Sequence, residues 1–113
     1  MTEKQAPITS YAEFWPVYLG EHRLRQTRTL HVIGTLIGIL CFIKAVVSLS
    51  LGWLFLALMI GYGFAWMAHI FVEKNRPATF IHPLWSLRGD FHMLALWLMG
   101  RLDAELLKHH ITD

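Results

Sequence analysis

The sequence predicts an all-α integral membrane protein: a helical bundle with a central transmembrane hairpin and interfacial helices at both ends. Three observations predict it. Hydrophobic residues make up 55% of the chain and charged residues 16%, where a water-soluble domain carries about 25% charge. Two apolar segments, 32–50 and 51–72, each meet the roughly 20-residue requirement of a spanning helix. Nine of the ten Lys and Arg residues lie outside both segments, and none lies in the turn between them. A hairpin puts all nine on one side. The positive-inside rule makes that side, with both termini, cytoplasmic, in a bacterial inner membrane or the endoplasmic reticulum. The length fits one domain, 1–113.

Taken in order, residues 1–10 read as a loose polar leader, with no apolar run of the kind a signal peptide needs. Ser10 is an N-cap, with Glu13 at the third helical position. Pro16 sits a turn inside, so the helix is expected to start near Trp15 and to lie, short and amphipathic, on the membrane surface. The stretch from Glu21 to His31 is basic and too polar to span, and Thr27 or Thr29 is expected to cap the next helix. Lys44 is the one charge in the first span, expected to snorkel toward the far surface or face the bundle interior. Ser48, Ser50 and Gly52 mark the turn. Gly34-x-x-x-Gly38 and Gly61-x-x-x-Ala65 offer small faces for close helix contact.

Beyond Pro77, residues 78–90 read as a loop punctuated by Pro83 and Gly89. Asp90 is expected to cap a last helix with Phe91, Leu94, Ala95, Leu98, Leu102 and Leu106 at helical spacing. Its apolar part is too short to span, so it packs at the interface or re-enters.

Some function classes drop out. A net charge of +2 and the lack of a basic run with interleaved aromatics argue against nucleic acid. Cys41 is the one cysteine, which excludes a disulfide framework and a thiolate zinc site within one chain.

The histidines carry the chemistry. There are seven, of which His109 and His110 fall in the tail. The other five flank the apolar segments. His31 lies nineteen residues before position 50 and His69 nineteen after it. At about 1.5 Å per residue, both sit roughly 28 Å from the turn, at one level on the charged side. His22 and His92 belong to the same layer. Glu73 shares a helix face with His69, four residues on. Imidazoles and a carboxylate without thiolate suit non-haem iron(II), or alternatively zinc. Such a site with an open position activates oxygen or water. Glu73 is then a ligand or an acceptor orienting an imidazole. Lys74 and Arg76 are placed to hold a substrate carboxylate, with Arg76 beside the chemistry. Two other readings stay open: interfacial histidines of a non-catalytic lipid-binding or assembly protein, and paired axial ligands of a haem. His82, ahead of Pro83, reads as interfacial.

Tyr18-x-x-x-His22, then His31 at the head of the first span, then Ala68-His69-x-x-x-Glu73-Lys74-x-Arg76-Pro77-Ala78, resembles the Mpo1-like family, also called DUF962. The resemblance covers roughly residues 11–100. It implies an Fe(II)-dependent dioxygenase that shortens 2-hydroxy fatty acids by one carbon, an alpha-oxidation, with O2 as co-substrate. It carries His22, His31 and His69 as iron-holding residues, and His92 is the expected fourth ligand. Glu21-His22-Arg23 and Asn75 depart from the more familiar family pattern. The expected partners are a lipid or fatty acyl substrate and the membrane, with a homo-oligomer left open.

Overall fold

The computed structural model describes residues 7–77 and 81–112; residues 1–6 of the leader expected over 1–10 lie outside them. The described residues are all-helical, 78% of them in helix. It runs α1 (Tyr11–Gly20), α2 (Arg25–Ser48), α3 (Leu51–Met67), a π-helical turn (Ala68–Glu73) continuing α3, α4 (Pro83–Leu98) and α5 (Leu102–Lys108).

The Ser10 hydroxyl accepts the Glu13 N–H and so caps α1. Glu13 in turn accepts the N–H and hydroxyl of Thr9, at 2.9 and 3.0 Å. This cap holds the helix start at Tyr11, not at Trp15 as expected. Pro16 stays inside α1 because it forfeits a single N–H bond, that to the Ala12 carbonyl. The helix is also more than a surface strip. Phe14, Trp15, Tyr18 and Leu19 join Val32 of α2, Met93 and Leu94 of α4, and Leu102 and Leu106 of α5 in one core.

Helix α2 begins seven residues before the expected span, and neither Thr27 nor Thr29 caps it. Leu24 is the extended N-cap residue, and its N–H goes to Glu73 Oε1 at 3.0 Å. At about 1.5 Å per residue, its 24 residues exceed the ~30 Å hydrocarbon layer by about one turn. The surplus falls on the polar first turns. At the far end Leu49 turns left-handed at φ 52, and Ser50 caps α3 by accepting the Trp53 N–H.

The hairpin packs closely through small residues. A methyl group at Gly34 would collide with the side chain of Phe64. One at Gly38 would lie 3.4 Å from the Ala57 carbonyl oxygen and 3.7 Å from Gly61 Cα. From α3 the buried residues are Ala57 and Ala65. Gly61 brings only its backbone close, since a methyl there would meet open space.

Toward the turn, the outer faces of α2 and α3 are bare. Val47 is 77% exposed and Leu49 92%. The helices Arg25–Ser48 and Leu51–Glu73 are long and apolar enough to cross a membrane, and only 28% and 22% of their most apolar windows is buried. Lys44 reaches over Trp53 near the turn, Nζ 6.0 Å from the ring centroid.

The loop expected up to residue 90, with one helix beyond it, gives way to a different division. Pro83 takes the first position of α4, where its missing N–H has no partner to lose. Asp90 is therefore mid-helix rather than a cap. Gly100, at φ 70, breaks α4 from α5, a conformation that favours glycine.

A candidate metal centre

Three separate stretches deliver one histidine each. His22 follows the end of α1, with its N–H on the Leu19 carbonyl at 3.0 Å. His31 stands in the second turn of α2, and His69 in the π-helical turn. All three are buried, and one ligand atom from each lies within 4.8 Å of the others. His22 and His69 are 1% exposed.

Their outer nitrogens are tied to acceptors. His22 Nδ1 lies 2.7 Å from the Tyr18 carbonyl oxygen, which can only accept, so Nδ1 carries the hydrogen. His69 Nδ1 lies 2.7 Å from Asn75 Oδ1. The Asn75 amide is fixed because its Nδ2 donates to the Glu21 carbonyl at 3.0 Å. His69 Nδ1 is therefore a donor too. Both Nε2 atoms are then left without hydrogen, yet they face each other at 3.0 Å. Two bare lone pairs at that distance repel, and a shared cation removes the conflict. Two nitrogens about 2.1 Å from one first-row ion and at a right angle to each other would lie about 3.0 Å apart.

His31 completes the pattern less tightly. Its Nε2 lies 3.6 Å from Asp90 Oδ1, and its Nδ1 is buried with no hydrogen-bond partner. An Nε2–H turned to the carboxylate leaves the lone pair on that orphaned Nδ1. Three imidazoles without a thiolate are a donor set for iron, zinc or a related first-row ion.

The surroundings resist charge. Burial first, then the neighbouring His31 and His69, lowers the His22 pKa well below its usual value. Asp90 is pushed up to about 7 by burial, against the bond from Tyr18. The Tyr18 hydroxyl donates to Asp90 Oδ1 at 2.6 Å. The ring of Tyr18 lies on that of His22, centroids 4.1 Å apart. Gly89 makes room for it, since a methyl group there would sit 2.9 Å from the Tyr18 ring.

The other expected site residues lie elsewhere. His92 is not brought to the three. Its Nδ1 is 3.0 Å from the Tyr11 hydroxyl, and its ring stacks on Trp15 at 3.7 Å. The reason is the early start of α4, which sets its phase from Pro83 and turns Asp90, not His92, toward His31. His82 packs edge-on against Phe14, centroids 5.5 Å apart. Glu73 orients no imidazole through a hydrogen bond. Its oxygens go to the Leu24 N–H and, at 3.9 Å, toward Arg23 Nε, so it ties the π-helical turn to the start of α2. Lys74, left-handed at φ 64, and Arg76 are exposed beyond that turn. Arg28 Nη1 binds the carbonyls of His22 and Arg23, at 2.9 and 2.6 Å, and so pins the loop that carries His22. A haem does not fit between the histidines: the His22 and His69 centroids are 4.4 Å apart, too close to admit a macrocycle.

Sequence reasoning missed Asn75 and Asp90 as partners of the imidazoles. Asn75 was visible as a departure within the Glu-Lys-x-Arg run. Asp90 gave the signal of an acid beside a glycine, which reads equally well as a cap.

No curated protein and no solved structure matches this chain. The family described as 2-hydroxy-palmitic acid dioxygenase Mpo1-like matches residues 8–102, a span that includes all three histidines, Asn75 and Asp90. With most of its length inside that match, the chain belongs to the Mpo1-like family.

Proposed function

We propose that this chain is a membrane-embedded oxidoreductase of the dioxygenase type, acting on a 2-hydroxy fatty acid or a related lipid. The observation that carries the reading is the pair of bare Nε2 atoms, His22 and His69, facing at 3.0 Å beside the orphaned Nδ1 of His31. His22, His31 and His69 would hold iron(II), with zinc as the alternative ion. When bound, iron supplies the binding and activation of oxygen next to the carbon that carries the hydroxyl.

The chain's own residues do the rest. The Tyr18 carbonyl and Asn75 hold two of the imidazoles with Nε2 bare, and Asp90, 3.6 Å from His31 Nε2, faces the third. Tyr18, Phe14 and Leu19, all buried, keep water from that side. The bare apolar faces of α2 and α3 suit an acyl chain and the bilayer around it. Arg76 and Lys74, at the charged end of the hairpin, would take the carboxylate. A carboxylate at the interface with its tail in the apolar layer sets C2 at the level of the histidines. Glu73 acts as a positioning residue through its grip on Leu24.

Metal analysis after anaerobic, reducing purification tests this. Wild type is expected to hold stoichiometric iron and to convert a 2-hydroxy fatty acid under oxygen to a product one carbon shorter. His69→Ala should lose both. A metal-free wild type, or equal metal in the variant, overturns the reading.

A further inference from the structure

Helix α1 and the turn that follows it carry Tyr11, Trp15, Tyr18 and His22, spaced four, three and four residues apart. Their rings form a column. Tyr18 lies 4.1 Å from His22, Trp15 stacks on Tyr18 at 5.5 Å and 15°, and Tyr11 on Trp15 at 6.1 Å and 25°. Each oxidisable ring has its own proton acceptor. The Tyr18 hydroxyl donates to Asp90 Oδ1 at 2.6 Å, and the Trp15 indole N–H donates to Glu105 Oε2 at 2.7 Å. The Tyr11 hydroxyl meets His92 Nδ1 at 3.0 Å. Packing alone explains stacked aromatics. Burial asks each hydroxyl and N–H for a partner, and here every partner is a carboxylate or imidazole able to take up the proton lost on oxidation.

We propose that Tyr18 and Trp15 form a one-electron relay that drains oxidising equivalents from the three-histidine site when no substrate is present. The relay rests on the reading of that site as oxygen-activating. The oxidant would be a transition metal held there, raised above its divalent state by giving one electron to dioxygen, which leaves as superoxide. Tyr18 gives it one electron and passes its phenol proton to Asp90. Trp15 then gives one electron to Tyr18, which recovers its proton from Asp90, while the indole proton goes to Glu105. Arg88 sits over Tyr11, its guanidinium carbon 4.0 Å from the ring centroid. That cation makes Tyr11 harder to oxidise and leaves the electron hole on Trp15. The terminal reductant is an aqueous thiolate. Each thiolate returns one electron to Trp15 and leaves as a thiyl radical, two of which couple to a disulfide over two cycles, and Glu105 returns the proton each time.

Two measurements separate the relay from the site. In metal-free protein, a light pulse ionises tyrosine, and transient absorption follows the tyrosine radical into a tryptophan radical, the direction of the relay. The Tyr62→Phe background removes the second such pair, Tyr62 with Trp66, centroids 6.1 Å apart. The conversion of tyrosyl into tryptophan radical is expected in that background and lost in both Trp15→Phe and Tyr18→Phe, which keep an aromatic ring at each position. An unchanged signal in both variants overturns the relay. In iron-loaded protein exposed to air without substrate, peptide mapping should find oxidation at Trp15. Tyr18→Phe should move it to His22, His31 and His69. Identical oxidation maps also overturn the relay. If iron does not bind, the reading of the site falls, while the light experiment still decides the relay.

Discussion

The two ends of the α2–α3 hairpin reverse the usual rule of burial. At the turn end, leucine, valine and phenylalanine are exposed: Leu49, Leu51, Val47, Phe55. At the other end His22, His31, His69 and Arg28 are buried. A protein folded against water alone would do the opposite. The difference is the one expected if the turn end meets lipid, where bare apolar side chains would cost nothing and polar backbone would stay satisfied within the helices. The histidine end is where the chain spends its hydrogen bonds.

The sharpest way to break that comparison is Leu40→Lys, mid-way along α2 and 65% exposed. In a bilayer it costs about 3 kcal/mol and should sharply reduce membrane insertion in a translocation assay. On a water-facing surface the same change stays within about 0.5 kcal/mol. An unchanged insertion and solubility would remove lipid from the picture.

Next comes Gly34→Ala. Its methyl group meets Phe64, so it should destabilise the hairpin by about 1–3 kcal/mol, read as a lowered unfolding midpoint in detergent. Gly61→Ala, with open space at that position, should change little.

Asn75→Ala acts at the other end. It frees the His69 ring and is expected to weaken metal binding by about ten- to a hundredfold while leaving helix content intact. Equal affinity in a metal titration would mean that the amide does not set the tautomer.

The smallest effect concerns acid. In the metal-free protein His22 is held neutral, its pKa lowered by burial. The unfolded chain then binds the proton that the folded chain refuses. Stability is complete above the usual histidine value, near 6.5, and falls as pH drops below it. Bound metal steepens the fall, because protons compete for the same nitrogens. A thermal midpoint flat between pH 7 and pH 5 (values bracketing the ordinary histidine pKa) would contradict a buried neutral imidazole.

The hairpin and the common level of His31 and His69 were legible in sequence, because length and hydropathy measure depth along an axis. Azimuth was not legible. His92 and Asp90 stand two residues apart, and which of them turns toward His31 depends on where α4 begins. Pro83 was read as a loop residue, though it is equally a helix opener. Glu73 failed for a related reason. Helical spacing placed it beneath His69, but the π-helical turn changes that spacing and sends the carboxylate to Leu24. Asn75 takes the role expected of it. Gly34 was legible as a small residue at a helix contact, whereas Gly89, which admits the Tyr18 ring, was taken only as a loop marker.

The wide turn over Ala68–Glu73 holds one residue more than an ordinary helical stretch of the same rise. That surplus lets Asn75 hold His69 twice, its N–H on the His69 carbonyl at 2.9 Å and its amide oxygen on the ring. Removing a single residue there would rotate everything downstream by about 100° and pull both grips away together. Insertions and deletions should therefore be tolerated at the Leu49–Ser50 bend and be ruinous six turns later, where chain length itself sets the chemistry.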